Sequence, residues 1–288
     1  MEYITHLAIL FSIFAIFAVS LDLVAGYTGL ISLAHAAFYG IGAYTTALLM
    51  ADLGVNFFLA MLVGVLFSAL IAFLIGLVFS RFKGDYYVLG TVGFTYIVFT
   101  IFLNWQSLTG GPLGIPGITR PAFFGFMFSD NLPFLLLSLA FLALVYGASR
   151  FIVLSPFGRV LRAIREDEEA VSVFGYRTLH YKLAIFVISA AMAALGGALL
   201  ASYITFIDPQ TFSLTESIFV LAIVVLGGLG SLRGPVLGAL ILILLPEVLR
   251  FVGFPSEIAA QMRQLMYGLI LVLLMLYRPQ GLLGEYKL

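Results

Sequence analysis

Residues 155–170 read SPFGRVLRAIREDEEA. Serine followed by proline marks a helix start, with Ser155 as N-cap and Pro156 at the first position, where its missing N–H has no partner to lose. Gly175 supplies the stop. Between them Phe157, Val160, Leu161, Ile164, Val171 and Phe174 recur at three- to four-residue intervals, interrupted near Asp167 and Glu168, which predicts an amphipathic helix. Its polar side carries Arg159, Arg162, Arg165 and the acidic run Glu166, Asp167, Glu168 and Glu169. Arg162 and Glu166, like Arg165 and Glu169, are spaced to pair on the surface, but such pairs are worth only about 0.2–0.5 kcal/mol each. They do not explain the helix. A groove on a partner protein would, and an anionic lipid surface would not, because it favours a basic polar face. A solvated connector held by its cap is the remaining alternative.

Ten charged side chains lie between Arg150 and Lys182, of 14 basic and 14 acidic in all 288 residues. The chain as a whole is 62% hydrophobic with only 10% charged residues and a mean hydropathy of +1.15. A soluble domain carries about 25% charged residues. Several stretches of 18 or more residues hold at most one charge, the signature of bilayer-spanning helices. The expected fold is all-α: one polytopic transmembrane bundle over 1–288 with about eight or nine spans, some of them broken or re-entrant, and a cytoplasmic loop at 151–181. Zero net charge gives no footing for nucleic acid. The absence of cysteine excludes disulfides and thiolate chemistry. The first apolar run, residues 7–21, lacks a basic leader and is followed at once by another span, so it reads as a retained helix.

The apolar runs place spans at 6–25, 30–51, 57–80, 86–104, 132–150, 182–206, 216–230, 235–252 and 262–278. The seventh is short and ends in Gly227, Gly228 and Gly230, as a broken helix would. Lysine and arginine crowd the 150–182 loop, with Arg81 and Lys83 in another loop and Arg278 and Lys287 flanking the carboxyl terminus. The positive-inside rule puts those three regions in the cytoplasm, and the amino terminus and the 105–131 and 207–215 loops outside. Arg250 and Arg263 sit against this assignment. Small residues at helix-packing spacing, Gly40 and Gly42, and Ala193, Gly196, Gly197 and Ala201, read as close helix contacts. The turns at Gly26-Tyr27-Thr28-Gly29 and Gly227-Gly228-Leu229-Gly230 echo each other, as interrupted helices do in transporters built from repeats.

Ionisable groups inside spans are costly and point to function. Asp22 and His35 are the strongest; Thr28, Ser32 and His35 are the partners at hand for the Asp22 carboxylate. Glu216 opens the seventh span and reads as a charge at the outer interface, favoured there by the helix dipole. Glu247 lies near the end of the eighth. Trp105, the single tryptophan, reads as an interfacial anchor between Asn104 and Gln106. The irregular outer loop beginning Thr109-Gly110-Gly111-Pro112 reads as a partner contact or a membrane-surface loop. There is no phosphate-binding loop of the G-x-x-x-x-G-K-[ST] type, so energy must come from a partner or an ion gradient. A membrane enzyme would need clustered acid/base or metal-ligating groups, and three scattered histidines do not supply them.

The 155–170 stretch with Gly175 resembles the cytoplasmic loop of the branched-chain amino-acid ABC permeases. So do residues 26–44, 108–115, 225–239 and 278–284, and the resemblance is nearest to the M-type subunit. It implies a permease subunit in a bacterial or archaeal cytoplasmic membrane, paired with a second, H-type permease. It also implies two cytoplasmic ATPases that hold ATP and magnesium, and a periplasmic or extracellular solute-binding protein. No cofactor or metal is expected on this chain. By that analogy Gly158, Arg159, Arg162, Ala163, Arg165, Glu166, Asp167, Glu168, Glu169 and Gly175 form the coupling helix. Asp22, Thr28, Ser32 and His35 are pathway candidates, and Thr109, Gly110, Gly111 and Pro112 are candidate contacts for the binding protein. The spans offer no clear pair of acceptors for a zwitterion, so the path is expected to be apolar and of low affinity, with selection left to the binding protein. Urea and short-amide permeases are close relatives of the family, and an ion-coupled secondary transporter is the reading from another class.

Overall fold

The computed structural model describes residues 2–82, 84–123, 126–128, 130–251, 265, 268–269, 272–273, 276–278 and 280–284. Most of the expected span 262–278, together with Lys83, Arg263 and Lys287, lies outside the described residues. The chain forms α1 (Glu2–Thr28), α2 (His35–Ala51), α3 (Phe57–Phe79), α4 (Asp85–Asn104) and the short α5 (Gln106–Thr109). There follow strands β1 (Ile115–Pro116), β2 (Ala122–Phe123) and β3 (Phe126–Met127), then α6 (Asn131–Leu154), α7 (Pro156–Glu166), α8 (Glu168–Val173) and α9 (Thr178–Ile204). Strand β4 (Phe206–Ile207), α10 (Leu214–Gly227) and α11 (Arg233–Phe251) follow. Among the described residues α1, α3, α4, α6 and α9 are long and apolar enough to cross a bilayer. The architecture is the all-α polytopic bundle expected from the apolar runs.

Two 27-residue helices, α1 and α9, form the buried centre. After α1 the chain turns back through residues 29–34, and α2 starts part-way along the bundle. After α9 it turns back through β4 and a 3-10 turn at Pro209–Phe212, and α10 starts part-way along in the opposite sense. The starts of α2 and α10 meet: Ser217 Oγ donates to Leu33 O (2.7 Å) and accepts from Ala36 N (3.0 Å). From α4, Thr95 Oγ1 donates to the same Leu33 carbonyl (2.7 Å), and Thr91 Oγ1 accepts from Leu33 N (3.1 Å). Side chains thus satisfy the irregular backbone that a bilayer would leave stranded. Thr95 is ten residues into α4, about 15 Å at 1.5 Å per residue. That is half of a hydrocarbon core about 30 Å thick. At 14 residues α10 spans only about 21 Å, so the shortness of the seventh run reflects a helix that begins at mid-depth.

Small residues let these helices touch backbone to backbone. A Cβ on Gly197 would fall 1.9 Å from Tyr39 O, and one on Gly42 would fall 2.2 Å from Ala194 O, which ties α2 to α9. Gly238 of α11 packs against Ile223 O of α10 in the same way, at 2.1 Å. In lipid, close packing and interhelical hydrogen bonds replace the hydrophobic effect as the cohesive force. Ser12 Oγ donates to Ser138 Oγ (2.7 Å), joining α1 to α6.

Candidate functional site

The charged segment is two helices, not one. Ser155 caps α7, its Oγ accepting from Gly158 N at 3.3 Å, with Pro156 at the first position. At Asp167 the backbone leaves the helix (φ −155°, ψ 100°), and the Asp167 carboxylate caps α8 by accepting from Ala170 N at 2.9 Å. The interruption near Asp167 and Glu168 is this joint, and the expectation of one continuous helix to Gly175 is corrected accordingly. Gly175 has φ +87°, the left-handed conformation its role as stop requires.

The ten residues assigned to coupling divide by facing. Gly158 is buried, and a Cβ there would meet Val153 O at 2.4 Å, so only glycine lets α7 fold back against the end of α6. The Arg162 guanidinium donates to Val153 O (3.1 Å) and lies 5.7 Å from the Tyr27 ring centroid; it serves the body of the protein rather than Glu166. Arg165 Nη1 donates to Gly26 O at the end of α1. Glu168 pairs with Lys182 of α9 (2.9 Å) and accepts from Thr178 Oγ1 (3.0 Å); Lys182 is 4% exposed, so this ion pair pins α8 to the start of α9. Arg159, Ala163, Glu166, Asp167, Glu169 and Gly175 face outward. Beside them a groove of about 620 Å³ runs between α7 and α8, lined by Phe157, Val160, Val171 and Phe174. Phe174 and Val173 are 82% and 85% exposed. The arm is therefore clamped on its inner face and offers an apolar groove rimmed by both charge signs on its outer face.

The clamp leads inward. Gly29 (φ +72°) starts the re-entrant segment, and Arg165 Cγ lies 3.3 Å from where its Cβ would be. Asp22 Oδ1 accepts from Gly230 N at 2.9 Å. The two glycine turns that echo each other in the sequence are in contact here, since a Cβ on Gly26 would fall 2.5 Å from Gly230 N. Backbone bonds from Leu282 N to Leu226 O and from Leu283 N to Gly227 O bring the 278–284 block to the same place. Four of the five sequence blocks thus converge at the arm.

Of the other pathway candidates, Thr28 and Ser32 are held in local contacts and His35 bonds across to α9. Thr28 Oγ1 donates to Val24 O (2.7 Å), and Ser32 Oγ accepts from Ala34 N (3.3 Å). Ser189 Oγ donates to Ser20 O (2.5 Å), so the proton between Ser189 and His35 (2.6 Å) belongs to His35 Nε2. Asp22 Oδ1 instead accepts from the Gly230 amide, a contact that residue type alone does not reveal. Glu216 is also displaced from its expected place. It precedes Ser217 in the first turn of α10 and so stands at mid-depth rather than at the outer interface.

At the opposite end β1 pairs antiparallel with β4, Ile115 opposite Ile207, so the 105–118 and 205–212 segments form one clasp. His6 Nδ1 bonds the Tyr203 hydroxyl (2.5 Å), which places the amino-terminal turn at that end. Thr109 is buried and donates to Phe102 O and Trp105 O, closing α4. Gly111 is buried as well and Gly110 partly so; of the four candidate contacts there only Pro112 is exposed.

Residues 3–275 match the family model described as the branched-chain amino acid transport system permease component. The chain is 37% identical over 300 residues to the high-affinity branched-chain amino acid transport system permease protein LivM of Escherichia coli, covering 96% of this chain and 69% of that one. It is 24% identical to the probable branched-chain amino acid transport permease protein LivM of Methanocaldococcus jannaschii, over 99% of this chain and 94% of that one. With LivH of Salmonella typhimurium, named a permease of the same kind of system, it shares 29% identity over 95% of this chain and 92% of that one. No solved structure matches.

Proposed function

The chain belongs to the branched-chain amino acid transport permease family, and from that premise we propose that it is the M-type permease of an ATP-driven importer of branched-chain amino acids. It is a multi-pass membrane protein and a transport subunit rather than an enzyme. Its likeness to both LivM and LivH chains supports pairing with a second, H-type permease. Two ATPase subunits seat on the arm from the cytoplasm, and a solute-binding protein delivers the amino acid to the clasp of β1 and β4 at the outer end. That orientation follows the six basic residues between Arg150 and Lys182.

The observation that carries this reading is the two-faced arm. Its inner face is fastened by Arg162, Arg165 and Glu168 to the ends of α6, α1 and α9. Its outer face presents an apolar groove with Arg159 and Glu166 beside it. A partner that grips this surface moves three membrane helices together. A solvated connector would have no reason to expose Phe174 and Val173. The test is uptake of labelled leucine, isoleucine and valine, with urea and acetamide alongside, into proteoliposomes holding the permease pair, the ATPases and the binding protein. ATP-dependent uptake of the branched-chain amino acids that survives collapse of ion gradients supports the reading. Uptake that vanishes with the gradient makes the protein a secondary transporter, and uptake of the amides alone replaces its substrate.

A further inference from the structure

The exposed faces of the outer helices differ in chemistry. On α3 the exposed side chains are apolar, among them Leu62, Leu66, Leu70, Phe73 and Leu77, and on α6 they include Leu132, Leu136 and Leu144. Hydrocarbon tails suit both. α4 exposes Leu89, Ile97 and Ile101 as well, but beside them runs a stripe that α3 and α6 lack, Gly93, Tyr96, Thr100 and Asn104, three or four residues apart. Tyr96 is 54% exposed in the middle of the helix. Thr95 and Ser217 meet on the single Leu33 carbonyl, so their chain neighbours Tyr96 and Glu216 stand at the same depth. Glu216 is partly exposed, and among the described residues no hydrogen-bond donor meets its side chain. The Tyr39 hydroxyl, fully buried and without a hydrogen-bond partner among the described residues, lies within electrostatic reach of that carboxylate. Next to Glu216, Thr215 is exposed. An ionised carboxylate at mid-bilayer is costly unless a cation or several donors reach it.

We propose that the polar stripe of α4 and the first turn of α10 line the translocation path, and that Glu216 receives the ammonium group of the amino acid as it crosses mid-membrane. This rests on the transport reading above and gives it a residue. An α-ammonium group brings one positive charge and three N–H donors, which matches an acid that lacks donors of its own. The negative end of the zwitterion, its carboxylate, would find the hydroxyls of Thr215, Thr100 and Tyr96 as donors along the same wall. Contact of this kind is transient and leaves selection to the binding protein.

Two measurements test it on the assembled importer. In the first, Glu216→Gln lowers leucine uptake at least tenfold while the four-component complex still assembles and still hydrolyses ATP; Glu216→Asp, which keeps the charge, retains more activity than Glu216→Gln. Uptake by Glu216→Gln within twofold of wild type overturns the proposal. So does loss of the second permease from the Glu216→Gln complex, because the acid would then be pairing with a partner's cation. If wild type itself carries no branched-chain amino acid, the transport reading falls and this inference with it. In the second, single cysteines are placed in a chain that has none of its own. Thr100→Cys and Thr215→Cys react with a charged, membrane-impermeant thiol reagent, whereas Leu70→Cys on α3 does not. Equal silence at all three positions overturns the proposal without touching the transport reading.

Discussion

The Gly230 amide donates to Asp22 Oδ1 at 2.9 Å across a separation of 208 residues. This one bond joins the last turns of α1 to the break after α10, at the place where the charged arm is also fastened. A Cβ on Gly26 would fall 2.0 Å from Asp22 Oδ1 and 2.5 Å from Gly230 N, so the junction closes only because position 26 is glycine. Gly26→Ala is expected to destabilise the protein by about 1–3 kcal/mol, the usual range for an overpacked core. Gly147→Ala, inside α6 with nothing within 4 Å of its Cβ, is expected not to destabilise. Thermal unfolding of the purified protein in detergent compares the two, and equal melting temperatures for both variants would contradict the packing.

The Glu168–Lys182 pair holds α8 to α9, with the Lys182 side chain 4% and the Glu168 side chain 31% exposed. Removing Glu168 leaves a buried ammonium without its carboxylate, at a cost of about 1–3 kcal/mol. The double change Glu168→Gln with Lys182→Met is expected to cost less than the two single changes added together, as coupled neighbours do. Additive losses in melting temperature would show that the pair does not act as a unit.

Gly175 has φ +87° and open space around it. Any cost of a side chain there comes from the backbone alone, about 1–2 kcal/mol for an L-residue in the left-handed region. Gly175→Asn is expected to be tolerated and Gly175→Val to loosen the turn between α8 and α9. Faster amide hydrogen exchange over residues 168–178 in the valine variant and not in the asparagine variant is the result to look for.

Much of this architecture is legible in the sequence, for physical reasons. Runs of apolar residues fix the spans because only helices satisfy their own backbone in lipid. Ser155, Pro156 and Gly175 mark the arm because caps are local chemistry, read from a few adjacent residues. What is hidden is long-range. Nothing local distinguishes Arg159, which faces outward, from Arg165, which bonds the Gly26 carbonyl. Likewise Glu168 and Glu169 look alike in the acidic run, yet only Glu168 meets Lys182 across the turn. The depth of Glu216 depends on where residues 205–213 re-enter the bundle, and an apolar run shows length without showing depth. The echo of the two glycine turns was the one sequence signal of their meeting, and it named no partner for Asp22.

ATP-driven transport by this chain requires that the outer face of the arm be the surface a cytoplasmic partner grips. Ala163 sits in the middle of that face and lines the groove, and the chain has no native cysteine, so Ala163→Cys provides a unique reporter. In the assembled transporter a short thiol-reactive cross-linker is expected to join position 163 to an ATPase subunit, and that joining is expected to protect it from soluble thiol reagents. A cysteine at 163 that stays freely modifiable in the intact complex, with and without ATP, would contradict the account.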